Sequence, residues 1–302
     1  MPGPTDCDRE TALAIGKDAV PGPHRARRHS LASCLFLLLA LFALATPIPS
    51  ASNGPPQSTG SIDLAEFEPS FREDFDELDV SEWGCLSRWT THTPWDGDFG
   101  NAEFDGPQGD GPFAVEDGIL TITIRKDETG IWRSGMLSSW NRCNAGFAQQ
   151  HGYFEIRARM PEGAGFWPAF WLIGVDRRDG TAEIDIVEYY GHRPDRYSLA
   201  VHNHRLKEGQ EKIWRWSRNS VPRGSLAERF HTFGAEITEN EVIFYFERKE
   251  IWRTRAPPQF RQPMYLLVSL ALQDHRINDE TPDKGQMEID YIHAYQRKPL
   301  GI

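Results

Sequence analysis

Glu183, Asp185 and Glu188 stand in the stretch Thr181-Ala182-Glu183-Ile184-Asp185-Ile186-Val187-Glu188-Tyr189-Tyr190-Gly191, where acids interleave with apolar residues. Successive side chains of a strand point to opposite faces, so Glu183 and Asp185 share one face and Ile184 and Ile186 the other. Glu188, five residues after Glu183, falls on the wrong face unless a β-bulge near Ile186-Val187 adds one residue. With that residue added, three carboxyl groups line up on one surface. Strands are depleted in Asp and Glu, and like charges on one face repel, so stability does not explain the arrangement. A merely solvated acidic face predicts interspersed Lys or Arg, and the stretch has none. A metal site formed with His202 or His204 is a further alternative, although no Cys or additional His lies nearby. The chemistry that needs such a set is glycoside hydrolysis, in which one ionised carboxylate attacks the anomeric carbon and a second, protonated carboxyl group assists the leaving oxygen. Neighbouring carboxylates in a partly dry cleft push their pKa values apart, and Asp185 between them can orient Glu183 or share its proton. The outer pair starts roughly 13 Å apart at Cα and must lean inward to reach the roughly 5–5.5 Å of a retaining pair.

The elements that must hold these acids read as strands. Leu120, Ile122 and Ile124 alternate with Thr121, Thr123 and Arg125; Phe154, Ile156, Ala158 and Met160 with Tyr153, Glu155, Arg157 and Arg159; Val242, Phe244 and Phe246 with Ile243, Tyr245 and Glu247. Period-two windows of this kind are half-buried strands, and Glu116-Asp117-Gly118, Pro161-Glu162-Gly163 and Glu239-Asn240 separate them as turns. No long window carries a 3.6-residue stripe, so the expected fold class is all-β, an antiparallel β-sandwich.

The first fifty residues read differently. Basic residues crowd His24 to His29, Leu31 to Ala45 is apolar or small, and Ala43-Leu44-Ala45 supplies a small-x-small site. Residues 1–51 are expected to be a signal sequence with an extended basic start, an N-terminal anchor being the alternative. Residues 52–66, rich in Pro, Ser and Gly, are expected to be a linker, and 67–302 the catalytic domain. The mature chain is then secreted or periplasmic, without a stable membrane span, and monomeric. Cys85 and Cys143 survive removal of the leader and are expected to form a disulfide, with two free thiols as the other reading. A net charge of -11 argues against nucleic acid, which demands clustered Lys and Arg. Ten Trp exceed what packing needs, so some are expected to face a ligand.

Glu183-Ile184-Asp185-Ile186-Val187-Glu188 resembles the bulged Glu-x-Asp-x-x-Glu signature of glycoside hydrolase family sixteen, the laminarinase and lichenase group. Further similar blocks follow in family order over residues 69–297, among them Ser134-Gly135-Met136-Leu137-Ser138-Ser139, Trp167-Pro168-Ala169-Phe170-Trp171-Leu172 and Ile289-Asp290-Tyr291. The resemblance implies a concanavalin-like jelly roll with its cleft on the concave sheet, acting on a polysaccharide, with Glu183 as nucleophile, Asp185 as its assistant and Glu188 as acid/base. It also implies sugar contacts from Trp167, Trp171 and His202, for each of which a purely structural role is the alternative. The loop from Thr93 to Asn101 aligns with the one shaping the non-reducing-side subsites, which brings in Trp95 and Asn101. That loop departs from the laminarinase Asn-Asn-Glu pattern, since Ala102 separates Asn101 from Glu103, and is more similar to bacterial exopolysaccharide depolymerases. No cofactor is expected for catalysis. A structural calcium is expected at Asp290 and the backbone of Gly118, with Glu73 as a weaker ligand. A transglycosylase on the same fold and a non-catalytic lectin-like sandwich are the competing functions.

Overall fold

Leu120, Ile122 and Ile124 are fully buried, while the residues between them stay partly exposed, so the strand Ile119–Lys126 has one core face and one solvent face. Two sheets pack their inner faces around a shared core, and the central strands depart from simple alternation: Gly152–Arg159 buries Tyr153 and Glu155 as well as Phe154 and Ile156, and Met264–Leu272 is buried on both faces. The computed structural model describes residues 60–95, 99–178, 180–204, 206 and 208–299; the expected leader and residues 52–59 of the expected linker lie outside them.

One sheet has nine strands. Five of them carry the site and are numbered here: β1 (Phe166–Gly174), β2 (Thr181–Glu188), β3 (Arg196–His204), β4 (Trp214–Ser220) and β5 (Met264–Leu272). Their spatial order is β4-β3-β2-β1-β5, after which come Met136–Ser138, Trp89–Thr90 and Val80–Ser81. The second sheet has ten strands and centres on Gly152–Arg159 and Lys284–Arg297. Ile122, Phe154, Ile156 and Phe233 from the second sheet meet Phe170, Ile184 and Val268 from the first in one core. The only α-helix among the described residues is the four-residue Ser225–Glu228. No described helix is long and apolar enough to cross a membrane.

Three expectations change in detail. The sheets are not wholly antiparallel: Val80–Ser81 runs parallel to Trp89–Thr90, and Glu103–Phe104 to Trp132–Ser134. The folded part begins earlier than Phe67, because the Ile62 amide donates to Arg248 O at 3.0 Å and Ile62 and Leu64 pack on a small second core. That core also explains why Ile243 and Tyr245, which alternation assigns to solvent, are buried with Phe67 and Tyr153. Cys85 and Cys143 are disulfide-bonded across 58 residues, with Cα atoms 5.7 Å apart.

Candidate active site

β2 lies between β1 and β3, so each acid has a neighbour on both sides. Glu183 is opposite Ile173 and His202, Asp185 opposite Trp171 and Ala200, and Glu188 opposite Ala169 and Ser198. From Asp185 to Glu188, β2 advances three residues while both neighbours advance two. One extra residue therefore shifts the phase of the strand. Ala182, Ile184 and Ile186 face the core before the slip, and Val187 and Tyr189 after it. Glu183 and Asp185, then Glu188 and Tyr190, accordingly line the same cleft of about 850 Å³.

The charges in this cleft are ordered by their partners. His202 Nε2 lies 2.7 Å from Asp185 Oδ2 and 3.0 Å from Glu183 Oε1, and His204 Nε2 lies 3.4 Å from Glu183 Oε2. Burial disfavours the Glu183 anion, but the bonds from His202 and His204 outweigh it and hold its pKa down at about 2. Burial likewise opposes charge on His202, yet its two carboxylate partners raise its pKa to about 10. Asp185 is driven the other way, up to about 6, first by burial and then by the neighbouring Glu183 charge. Glu188 rises furthest, to about 8, through burial and then the charge of Asp185. Trp167 Nε1 and Tyr190 Oη both donate to Glu188 Oε1 at 3.1 Å, which leaves Oε2 to carry a proton. Near neutrality the site therefore holds one ionised and one protonated glutamic acid, the division that two-carboxylate glycoside chemistry requires.

Glu183, His202 and His204 also present ligand atoms within 4.8 Å of one another, the metal alternative raised by the sequence. With His202 protonated between two carboxylates, its Nε2 lone pair is not available to a metal, so the geometry fits a hydrogen-bonded charge cluster better.

A model of the glycosyl hydrolases family 16 matches residues 100–293. The chain belongs to family 16 of the glycosyl hydrolases. The endo-1,3-1,4-beta-glycanase EglC of Rhizobium meliloti is 32% identical over 260 residues, covering 78% of this chain and 53% of that protein. The endo-1,3-1,4-beta-glycanase ExsH of the same organism is 31% identical over 258 residues, with the same coverages. The chain thus spans about half the length of these relatives. The laminarinase catalytic domain from Thermotoga maritima superposes with a TM-score of 0.62 at 23% identity, over 78% of this chain and all of that one, which establishes the shared jelly-roll fold.

Most of the sugar contacts expected from the family 16 resemblance reach the cleft. Trp95, Trp167, Trp171 and His202 line it, with the Arg177 guanidinium 3.7 Å over the Trp95 ring. Trp171 is buried and meets Phe99 edge to face at 5.4 Å, so it serves the packing of the cleft wall as well as its surface. Asn101 is not brought there: it is exposed, and its amide donates to Leu272 O at 2.8 Å. Gly100 before it has φ +74°, and a Cβ there would come within 2.6 Å of Leu272 O, so the loop is pressed onto the end of β5. The sequence reading missed Tyr190, Arg193, Trp214, Trp216, Arg218 and Ser269 as lining residues. For two of them a signal existed, the alternation of Trp214 and Trp216 through an otherwise polar window.

Asp290, Gly118 and Glu73, the residues suggested for calcium, are near neighbours. Gly118 sits against the Asp74 backbone, and Glu73 pairs with Ile292. Their carboxylates are already engaged. Asp290 is ion-paired with Arg157, and Glu73 accepts from Phe75 N, Trp89 Nε1 and Arg88 Nε. This donor set does not fit a calcium ion, which takes 6–8 oxygens, unless Arg157 first leaves Asp290.

Proposed function

We propose that this chain is a retaining endo-β-glycanase that hydrolyses a β-linked polysaccharide by double displacement. The observation that carries the reading is the placement of Glu183 and Glu188 on one strand face of one cleft with opposite surroundings: His202 and His204 lie against Glu183 and favour its charge, while burial beside Asp185 keeps the proton on Glu188. In the first step Glu183 attacks the anomeric carbon while Glu188 protonates the departing oxygen; in the second, ionised Glu188 draws a proton from water, which releases the sugar from Glu183. Asp185 and His202 position Glu183 and fix its charge. The polar atoms of the cleft support a sugar ligand: Trp171 Nε1, His202 Nδ1 and Ser269 Oγ are buried without a hydrogen-bond partner among the described residues, and hydroxyl groups would satisfy them.

The names of the two rhizobial relatives favour a 1,3-1,4-β-glycan as substrate, and the Trp95-to-Asn101 loop adds a bacterial exopolysaccharide as the natural form. A polymer of that size is met outside the cell, and the Cys85–Cys143 disulfide suits an oxidising compartment, so the reading includes secretion or export to the periplasm. Azide separates the roles. Glu183→Ala should yield an inverted glycosyl azide, and Glu188→Ala a retained one from an activated donor. An inverted anomer released early by the unmodified enzyme would overturn the double displacement.

A further inference from the structure

Trp214 and Trp216 leave 61% and 51% of their surface exposed, which is unusual for so large an apolar side chain. They stand two residues apart on β4, point to the same face and line the cleft. Register fixes where. Trp214 is opposite His202 and so in the row of Glu183; Trp216 is opposite Ala200, in the row of Asp185; Arg218 is opposite Ser198, in the row of Glu188. β4 lies two strands from β2, about 10 Å away. In the lower two rows only Ala200 and Ser198 intervene, so the floor between acids and indoles stays low. Lys212 Nζ sits 5.4 Å from the Trp214 ring and the Arg218 guanidinium 4.6 Å from that of Trp216, contacts that steady indoles otherwise open to water.

We propose that Trp214 and Trp216 form the platform for the leaving-group side of the glycan, beyond the first sugar after the cleaved bond; this rests on the hydrolytic reading above. The two walls of the cleft differ in a way that assigns the sides. On the β1 side Trp171 is buried and Trp95 and Trp167 are half-buried, whereas β4 is the edge of its sheet. A covalent intermediate must keep its glycone through both steps, while the leaving group must depart after the first so that water can enter. The enclosed wall suits the sugar that stays, and the open ridge suits the one that leaves. The substrate this selects is a β-linked chain continuing at least two sugars past the bond, not a short glycoside.

The test compares two substrates on Trp214→Ala, Trp216→Ala and Trp216→Phe. One is soluble mixed-linkage β-1,3/1,4-glucan; the other is a nitrophenyl β-oligoglucoside, which has no sugar on the leaving side. The ratio of their kcat/KM values, glucan over nitrophenyl, should fall about tenfold in each Ala variant, the loss typical of a truncated aromatic anchor, and Trp216→Phe should retain most of it. An unchanged ratio overturns the platform, whether the two rates hold or fall together. If the unmodified protein cleaves neither substrate, the hydrolytic reading fails on its own, and the platform is then judged by calorimetric titration with a β-glucan hexasaccharide. Binding lost in both Ala variants upholds it; binding absent from the unmodified protein, or unaltered in the variants, overturns it.

Discussion

Replacing Tyr190 by Phe removes one O–H from the carboxyl group proposed to act as acid/base. Its hydroxyl donates to Glu188 Oε1 at 3.1 Å, the same oxygen that receives Trp167 Nε1. A donor of this kind favours the anion, so it holds the Glu188 pKa below what burial and Asp185 would otherwise make it. The sign follows: without the hydroxyl, Glu188 stays protonated to higher pH. A hydrogen bond to a charged group is worth about 1.5–3 kcal/mol, and about 1.4 kcal/mol corresponds to one pKa unit. With the Trp167 donor still in place, the expected rise is about one unit. The alkaline limb of kcat/KM, which reports the free enzyme's acid, should therefore move from near 8 to near 9. Asp185→Asn should move the same limb the other way, because it deletes a neighbouring negative charge that raises Glu188. The assay is initial reducing-end release from soluble β-glucan, well below saturation, from mildly acidic to strongly alkaline pH at constant ionic strength. A limb that stays put in Tyr190→Phe, or one that shifts in the same direction in both variants, would refute the assignment of Glu188 as the titrating acid.

Three further outcomes are expected. The double variant Cys85→Ser with Cys143→Ser should lose up to about 4 kcal/mol in denaturant unfolding, the chain-entropy value for a loop of this length, and thiol titration of the denatured, unreduced parent should find neither Cys85 nor Cys143 free. Arg248 forms a two-pronged bond to the fully buried Glu155, which also accepts from Tyr153 and Tyr291. Arg248→Met leaves that carboxylate buried without its cation and should cost about 3 kcal/mol, the low end for a broken buried pair because the guanidinium itself is half exposed; urea midpoints measure it. Calcium added to chelator-treated protein should leave the melting temperature unchanged while Asp290 stays paired with Arg157, and a rise of several degrees would show that the ion displaces the arginine.

The acids, the slip that aligns them and the alternation of the Leu120 and Phe154 strands were legible because each rests on local parity. Core-facing positions in those strands carry only apolar residues, and the extra residue in β2 is demanded by the five-residue gap between Glu183 and Glu188. What escaped depends on distant chain. Ile62 and Leu64 look like linker until the Ile243 and Tyr245 face is there to receive them. Asn101 looked like a cleft residue because its loop sequence pointed there, but the Gly100 turn hands its amide to Leu272 instead. His204 could be weighed only as a metal ligand, since its approach to Glu183 depends on the β2–β3 register. Trp214 and Trp216 alternate visibly, yet nothing local says that β4 lies beside β3 and faces the acids.

The phase change in β2 also predicts how this strand will tolerate substitution. Up to Ile186, even-numbered positions from Ala182 onward belong to the core and odd-numbered ones to the cleft; from Val187 the parity reverses. A saturation scan read for abundance and for activity should therefore show two interleaved rhythms that exchange places at one point. Polar replacements should deplete the protein at 182, 184 and 186, then at 187 and 189, while activity alone should suffer at 183 and 185, then at 188 and 190. Removing Ile186 or Val187 would erase the slip and leave Glu188 four residues after Glu183, still on the cleft face by plain alternation, so a single-codon deletion at this one point should be tolerated better than a deletion elsewhere in the strand, which would turn an acid toward the interior.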